Sequence, residues 1–367
     1  MASRYWVGGS ADWNATAGTK WATTSGGAGG AAAPTSADDV FFDGNSGAVT
    51  VSMPAASVNC GSLNCTGFTG TLTNLGAAND INCYGSVTLG GGMTWSLTGG
   101  AGLVIRGTCT LTTNGIATLA KLSALAGSIT LGDACSMTGP ITVEDTFTLN
   151  TNGFALTTTD TATGIQCSLT GNLTMGASTV TTPKITMGAG GTLNFGSGTL
   201  VVNGTGTCVS INATTTITAG TGTLKITNSS SSTKTLSLQG KTYYNIWLAH
   251  GSTGTVTIQG SNTFNDYKIT STTGAVLHTA GTTQTVSSID WNGSAGNLVT
   301  VRSTSNGSAW NISKSSGTVT VTFCSIRDSA AGGGATFNAN NSTNVSGNTG
   351  WIFPTTGLFG FGRLLPF

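Results

Sequence analysis

Cleaving a glycosidic bond takes two carboxyl groups at a set separation, or an acid paired with a base. The chain carries twelve Asp and Glu among 367 residues, and its one glutamate, Glu144, adjoins Asp145. Neighbouring side chains on a strand point to opposite faces, so these two share a site only in a turn, and a solvated turn is the expectation. Asp38-Asp39 follows the turn signal Pro34-Thr35-Ser36 and reads as turn or cap chemistry. Stacking of coils could bring distant acids together, Asp133 with Asp160 for example, but no motif marks such a pair. Gly240-Lys241-Thr242 echoes the end of a phosphate-binding loop, yet Thr235 stands where the first glycine is required and no helical pattern follows. No G-x-S-x-G occurs, and His250 and His278 lack a partnering Ser or Cys pattern, so they read as loop or ladder histidines. Cysteines stand at 60, 65, 83, 109, 135, 167, 208 and 324, none in C-x-x-C spacing. With two histidines in the chain, zinc ligation has little support, and the cysteines read as buried free thiols. Cys83, Cys109 and Cys135 are 26 residues apart, which suggests a repeated inward-facing position. No catalytic, metal or cofactor set is expected.

The elements around these residues follow from composition. Charged residues make up 7% of the chain and the net charge is +1, against roughly 25% charged in an average domain. Basic residues are scattered singly, so no phosphate-tracking stripe forms and nucleic acid is not an expected partner. Hydrophobic residues at 38% exclude disorder by low hydrophobicity and high charge. Thr, Val, Ile and Gly dominate where helix formers are scarce, so the fold class is all-β. So few charges suit a protein held inside an assembly. They also predict a melting temperature nearly flat from about pH 5 to 9. Many N-x-[ST] triplets occur, as such a composition produces by chance, and no glycosylation is read from them. The opening residues lack the apolar run of a secretory signal, which predicts synthesis in the cytosol. No window approaches a membrane span.

From residue 46 onward, short alternations of apolar with Thr, Ser or Asn recur, punctuated by Gly, Asn and Asp. Period-2 alternation is the signal of a half-buried strand. Leu89, Leu111, Leu131, Leu149, Leu173 and Leu193 follow one another at 22, 20, 18, 24 and 20 residues. The phrase Leu111-Thr112-Thr113-Asn114-Gly115 returns as Leu149-Asn150-Thr151-Asn152-Gly153, 38 residues or two periods later. A period near twenty with three short strands in each turn predicts a parallel β-helix, a solenoid with terminal caps. At the ~4.8 Å inter-strand spacing, roughly 13–15 coils make a rod of ~65 Å.

Four segments follow. Residues 1–45, with Trp6, Trp13 and Trp21, read as an N-terminal cap or attachment segment; 46–232 as regular coils; 233–350 as less regular, aromatic-rich coils with larger loops. Residues 351–367 read as a hydrophobic docking or oligomerisation tail carrying Trp351, Ile352, Phe353, Leu358, Phe359, Phe361, Leu364, Leu365 and Phe367. Tyr243, Tyr244, Trp247, Trp291 and Trp310 are candidates for stacking on sugars. The competing reading is that they fill the solenoid or a seam between subunits, and it is preferred.

Three passages carry a resemblance. They are Arg4-Tyr5-Trp6-Val7-Gly8-Gly9-Ser10 through Trp13-Asn14 to Pro34-Thr35-Ser36-Ala37-Asp38-Asp39-Val40-Phe41-Phe42-Asp43, the stretch from Gly240 to Phe264, and the closing Asn348-Thr349-Gly350-Trp351-Ile352-Phe353. In these the chain resembles Gly/Thr/Ser-rich surface proteins encoded by bacteriophages. The resemblance implies a β-helical virion protein, often trimeric, without implying a position on the particle. It departs from enzymatic tailspikes, whose β-helices carry long acidic clefts, by its poverty in carboxylates. The expectation is a non-enzymatic spike, fibre or head-decoration subunit. Its partners would be itself, as a homotrimer, other virion proteins and a host surface glycan. A tailspike-type polysaccharide depolymerase is the first alternative and a bacterial adhesin the second.

Overall fold

The computed structural model describes residues 1–14, 19–74, 79–251 and 253–354. Their short strands wind into a stack of coils in which each strand pairs in parallel with the strand one coil earlier, as in Ile141–Val143 on Leu122–Ala124. The longest side is a 14-stranded sheet with one strand per coil, from Val58–Cys60 to Thr343–Ser346. Fourteen coils at ~4.8 Å make a rod of about 65 Å. A second side is an 11-stranded sheet ending at Thr216–Thr218. The third is a 4-stranded sheet followed, past residues 116–119, by a 10-stranded one. The solenoid predicted from the leucine rhythm is therefore the fold.

Alternation dictates which side chains enter. In Thr192–Asn194 the leucine is buried and its neighbours are half-buried. The six leucines of the rhythm lie on or beside the second side, but in three inward positions rather than one. Leu111 and Leu131 share a column, Leu149, Leu173 and Leu193 share the next, and Leu89, just past Val87–Thr88, is in register with neither. Leu63, Val87, Leu111 and Leu131 stack in register. Beside them run Cys109, Ile129, Leu149, Leu173, Leu193 and Ile217. The irregular 18-residue step from Leu131 to Leu149 is the step from one column to the other; the register partner of Leu149 is Ile129, 20 residues back. Cys83, Cys109 and Cys135 all point inward, but from three different sheets, so a 26-residue step is one coil plus one side. The expectation of a single repeated position is corrected accordingly.

Tight corners account for part of the glycine content. Gly61, Gly85, Gly107 and Gly127 form a column after the long side; a Cβ on Gly127 would lie 1.9 Å from the Gly107 carbonyl oxygen. Gly127→Ala is expected to destabilise by about 1–3 kcal/mol, as overpacking does, measured as a lowered urea midpoint. The repeated Asn-Gly phrases make one kind of turn, with Asn114 and Asn152 at φ 50° and 52° and Gly115 and Gly153 at 84° and 83°. Each asparagine donates its amide back to the preceding coil, to the carbonyls of Leu89 and Leu131.

Residues 1–45 are built into the solenoid. Ser3–Trp6 lies parallel to Asp39–Phe41 on the second side, and Trp21–Ala22 closes that sheet antiparallel. Trp6, Trp13, Trp21 and Phe42 pack with ring centroids 5.0–5.9 Å apart and fill the end of the interior. In the 233–350 region the second side stops, and strands of the third side lengthen to seven and nine residues at Thr242–Leu248, Thr263–Ile269 and Thr283–Trp291. A new three-stranded sheet then begins at Thr318–Thr322. Irregularity there reflects a change in the number of sides.

Candidate functional site: an outer ladder and two corner troughs

The five aromatic candidates divide between interior and surface. Tyr243, Trp291 and Trp310 are buried in a spine of rings running from Phe195 through Tyr243, Phe264, Tyr267 and Trp291 to Trp310 and Trp351. These three have no face open to a sugar, because inward positions of long third-side strands and their neighbours place them inside. Tyr244, 36% exposed, and Trp247 lie on the outer face.

Trp247 belongs to a column that register creates. Lys225, Trp247, Lys268 and Asp290 are paired partners on four successive coils. The Lys225 ammonium sits 3.7 Å from the Trp247 ring centroid and that of Lys268 5.5 Å from it, a cation–π arrangement. Lys268 also pairs with Asp290 at 2.6 Å, and the indole N–H donates to Thr270 at 3.0 Å. In a neighbouring column Ser288 donates to Asp266 at 2.5 Å. The Trp247 ring is thus engaged by lysines of neighbouring coils, and a sugar stacking on it must displace Lys225. The four residues of the column stand 22, 21 and 22 apart. Residue type alone singles out Trp247 among them; applying the coil period to charged residues finds the others.

Ten of the twelve carboxylates have partners that close loops or pair with a cation. Asp133 accepts from the backbone N–H of Thr113 and Asn114 at 2.7 and 2.6 Å. Asp160 accepts from Thr163 and Gly164 at 2.7 and 2.8 Å, so these two acids serve separate turns. Asp38 accepts from Thr35 and faces Arg4. Asp80 pairs with Lys121 and Asp328 with Arg327. Asp12, Asp39 and Asp43 accept from Asn14, Ser62 and Asn45. Glu144 and Asp145 occupy a turn, with Asp145 at φ 48°.

Two troughs follow corners of the rod. One, of about 370 Å³, is lined by Thr159, Thr161, Pro183, Asn203, Thr205 and Asn228. The other, of about 470 Å³, is lined by residues including Thr186, Ser210, Asn212, Ser237 and Gln239. Both present hydroxyls, amides and backbone and no charged side chain, a surface matched to neutral hydroxylated ligands. Beside the first, buried Lys234 donates to the carbonyls of Ser230 and Ser232, an internal cation gathering the 228–232 loop.

All eight cysteines are free and buried. Burial pushes the thiols of Cys109, Cys135, Cys167 and Cys324 up to about 12, so they stay protonated. Cys60 and Cys83, register partners, place their sulfurs 3.2 Å apart. Among the described residues no group of three His, Cys, Asp or Glu gathers where a metal could sit, and no helix is long and apolar enough to cross a membrane.

At the C-terminal end the tail reading is corrected in part. Trp351 is a core residue, 9% exposed, packed 5.2 Å from Phe337 and donating its indole N–H to Ser329. Phe353 is partly buried against the same core. Leu358, Phe359, Phe361, Leu364, Leu365 and Phe367 lie outside the described residues. Comparison with protein-family models, with curated proteins and with solved structures returns no match.

Proposed function

We propose that the chain is a non-enzymatic structural rod of a bacteriophage virion surface, a spike, fibre or decoration subunit that presents neutral polar faces outward. The observation that carries this reading is the employment of the carboxylates: ten of twelve close turns or pair with partners on the solenoid itself. A depolymerase would need two free carboxyls set across one bond, and the two that remain, Glu144 and Asp145, are exposed neighbours in a single turn. A stack of coils also resists bending, because every coil is hydrogen-bonded to the next along the axis. The resemblance of the opening and closing phrases supports the virion setting, and implies self-association in threes and contact with other virion proteins. A host surface glycan is the outside partner. The charge-free troughs fit a neutral saccharide better than an acidic one, and Tyr244, like Tyr84, is an exposed ring of the kind on which a sugar stacks.

Two measurements test the reading. Capsular or O-antigen polysaccharide incubated with the protein should show no new reducing ends, and its viscosity should hold. Density-purified phage particles from the source culture should contain peptides of this chain. Depolymerisation would replace the reading with an enzymatic one, and absence from purified particles would remove the virion setting.

A further inference from the structure

The two ends of the solenoid are finished differently. At the N-terminal end the chain folds back on itself: Trp21–Ala22 lies antiparallel along Tyr5–Trp6 and the three indoles seal the interior. At the other end the described residues make no such fold-back. Thr343–Ser346, the last strand of the long side, has all four residues exposed, Val345 at 47%. Trp351–Ile352, the last of the three-stranded sheet, leaves Ile352 at 51%. Each is the terminal member of its sheet, with no strand on its outer side among the described residues.

A bare strand edge offers unpaired N–H and C=O groups to any other chain, and proteins that must remain single protect it with charge, proline or a covering segment. Charge is missing here: from Ser329 to Pro354 there is no Lys, Arg, Asp or Glu. The sequence continues past Pro354 for 13 residues, which add Leu358, Phe359, Phe361, Leu364, Leu365 and Phe367 and one charge, Arg363. Among the described residues of these two edges no charge repels a second copy, and the one irregularity is a register shift that leaves Val345 without a partner between Asn344 and Ser346. The open backbone groups and the apolar residues that follow in sequence both favour one.

We infer that the C-terminal end of the solenoid is a self-association surface, completed by further copies of this chain that pair along the edges at Thr343–Ser346 and Trp351–Ile352. A copy is the occupant argued for because an uncharged edge is complementary to itself, and one sequence supplies both sides of a symmetric contact. The inference stands on the fold, so it can fail while the virion reading survives, and the reverse.

Sedimentation equilibrium of the full chain should return a multiple of 36.5 kDa. Val345→Lys combined with Ile352→Lys should return the monomer mass with an unchanged circular dichroism spectrum, whereas Tyr84→Lys, at an exposed apolar residue elsewhere, should keep the multiple. A monomeric full chain, or a double variant that keeps its oligomeric mass, overturns the inference. Should the double variant not fold, Asn344→Cys supplies the readout. Mild oxidation should link copies covalently through the introduced thiols on a non-reducing gel, while Thr66→Cys in the N-terminal part should not link. No link at position 344 overturns the inference equally.

Discussion

Replacing Trp291 by alanine is expected to cost about 3–5 kcal/mol, the range for removing a buried tryptophan, and to loosen one end of the rod only. Trp291 is fully buried between Tyr267 at 5.2 Å and Trp310 and Trp351 at 6.3 Å, and it joins the last coils to those before them. Its indole N–H has no hydrogen-bond partner among the described residues, so the loss is one of packing rather than of a polar contact. Stability in a solenoid is a sum over coils and their neighbours. Hydrogen exchange should therefore accelerate strongly in strands from about Thr263 to Ile352 and stay near its original rate before Thr199. Uniform acceleration along the chain would show that the coils unfold as one unit.

Acidification is expected to destabilise the protein well above the pH at which carboxylates titrate. His278 is buried, with Nε2 3.1 Å from the Tyr267 hydroxyl and its ring edge-on to Trp310. Burial holds its pKa down to about 3. Burial, with the Lys234 ammonium adding to it, holds His250 down to about 4. Both are neutral when folded, and near pH ~6.5 they take up a proton once unfolded. Their contribution is complete above about pH 6.5 and is lost progressively as pH falls from there toward the folded values. For His278 alone the loss at pH ~5 is about 2 kcal/mol. The urea midpoint should hold near its value at about pH 7 up to about pH 8, above which the buried thiols begin to ionise only in the unfolded chain, and should drop clearly by about pH 5; a His250→Gln/His278→Gln variant should be flatter on the acid side. An unchanged midpoint down to that pH would show that neither histidine is held neutral. This revises the flat profile inferred from charge content. Composition counts ionisable groups, but two buried ones outweigh many exposed ones.

Much of the architecture was legible because solenoid physics is local and repetitive. Alternation in Thr192-Leu193-Asn194 states which side chain goes in, and recurrence every twenty or so residues states that the strands stack. Turn chemistry at Asn114-Gly115 and Asn152-Gly153 was equally readable, since only certain residues accept a positive φ at little cost. Register was not. The step from Leu131 to Leu149 conceals a change of column, and the 26-residue cysteine spacing mixes a coil with a side, because a count along the chain does not separate the two.

Site residues divide by the same cause. That Glu144 and Asp145 form a turn, and that Asp133 and Asp160 bear no shared motif, could be read from neighbouring residues. Which aromatics face outward could not. Tyr243 and Tyr244 are adjacent and of one kind, and strand geometry sends one into the spine and the other to solvent. Lys225, Trp247, Lys268 and Asp290 became a column only when four coils set them side by side at the inter-strand spacing. Residue type and alternation were enough to set the β-helix, its period and its neutral outer faces, because each of these is a local property of the chain. Which rings are sealed inside, which charges meet and which strands end each sheet among the described residues emerged with the folded coils, because those outcomes depend on register and on how many sides each coil has.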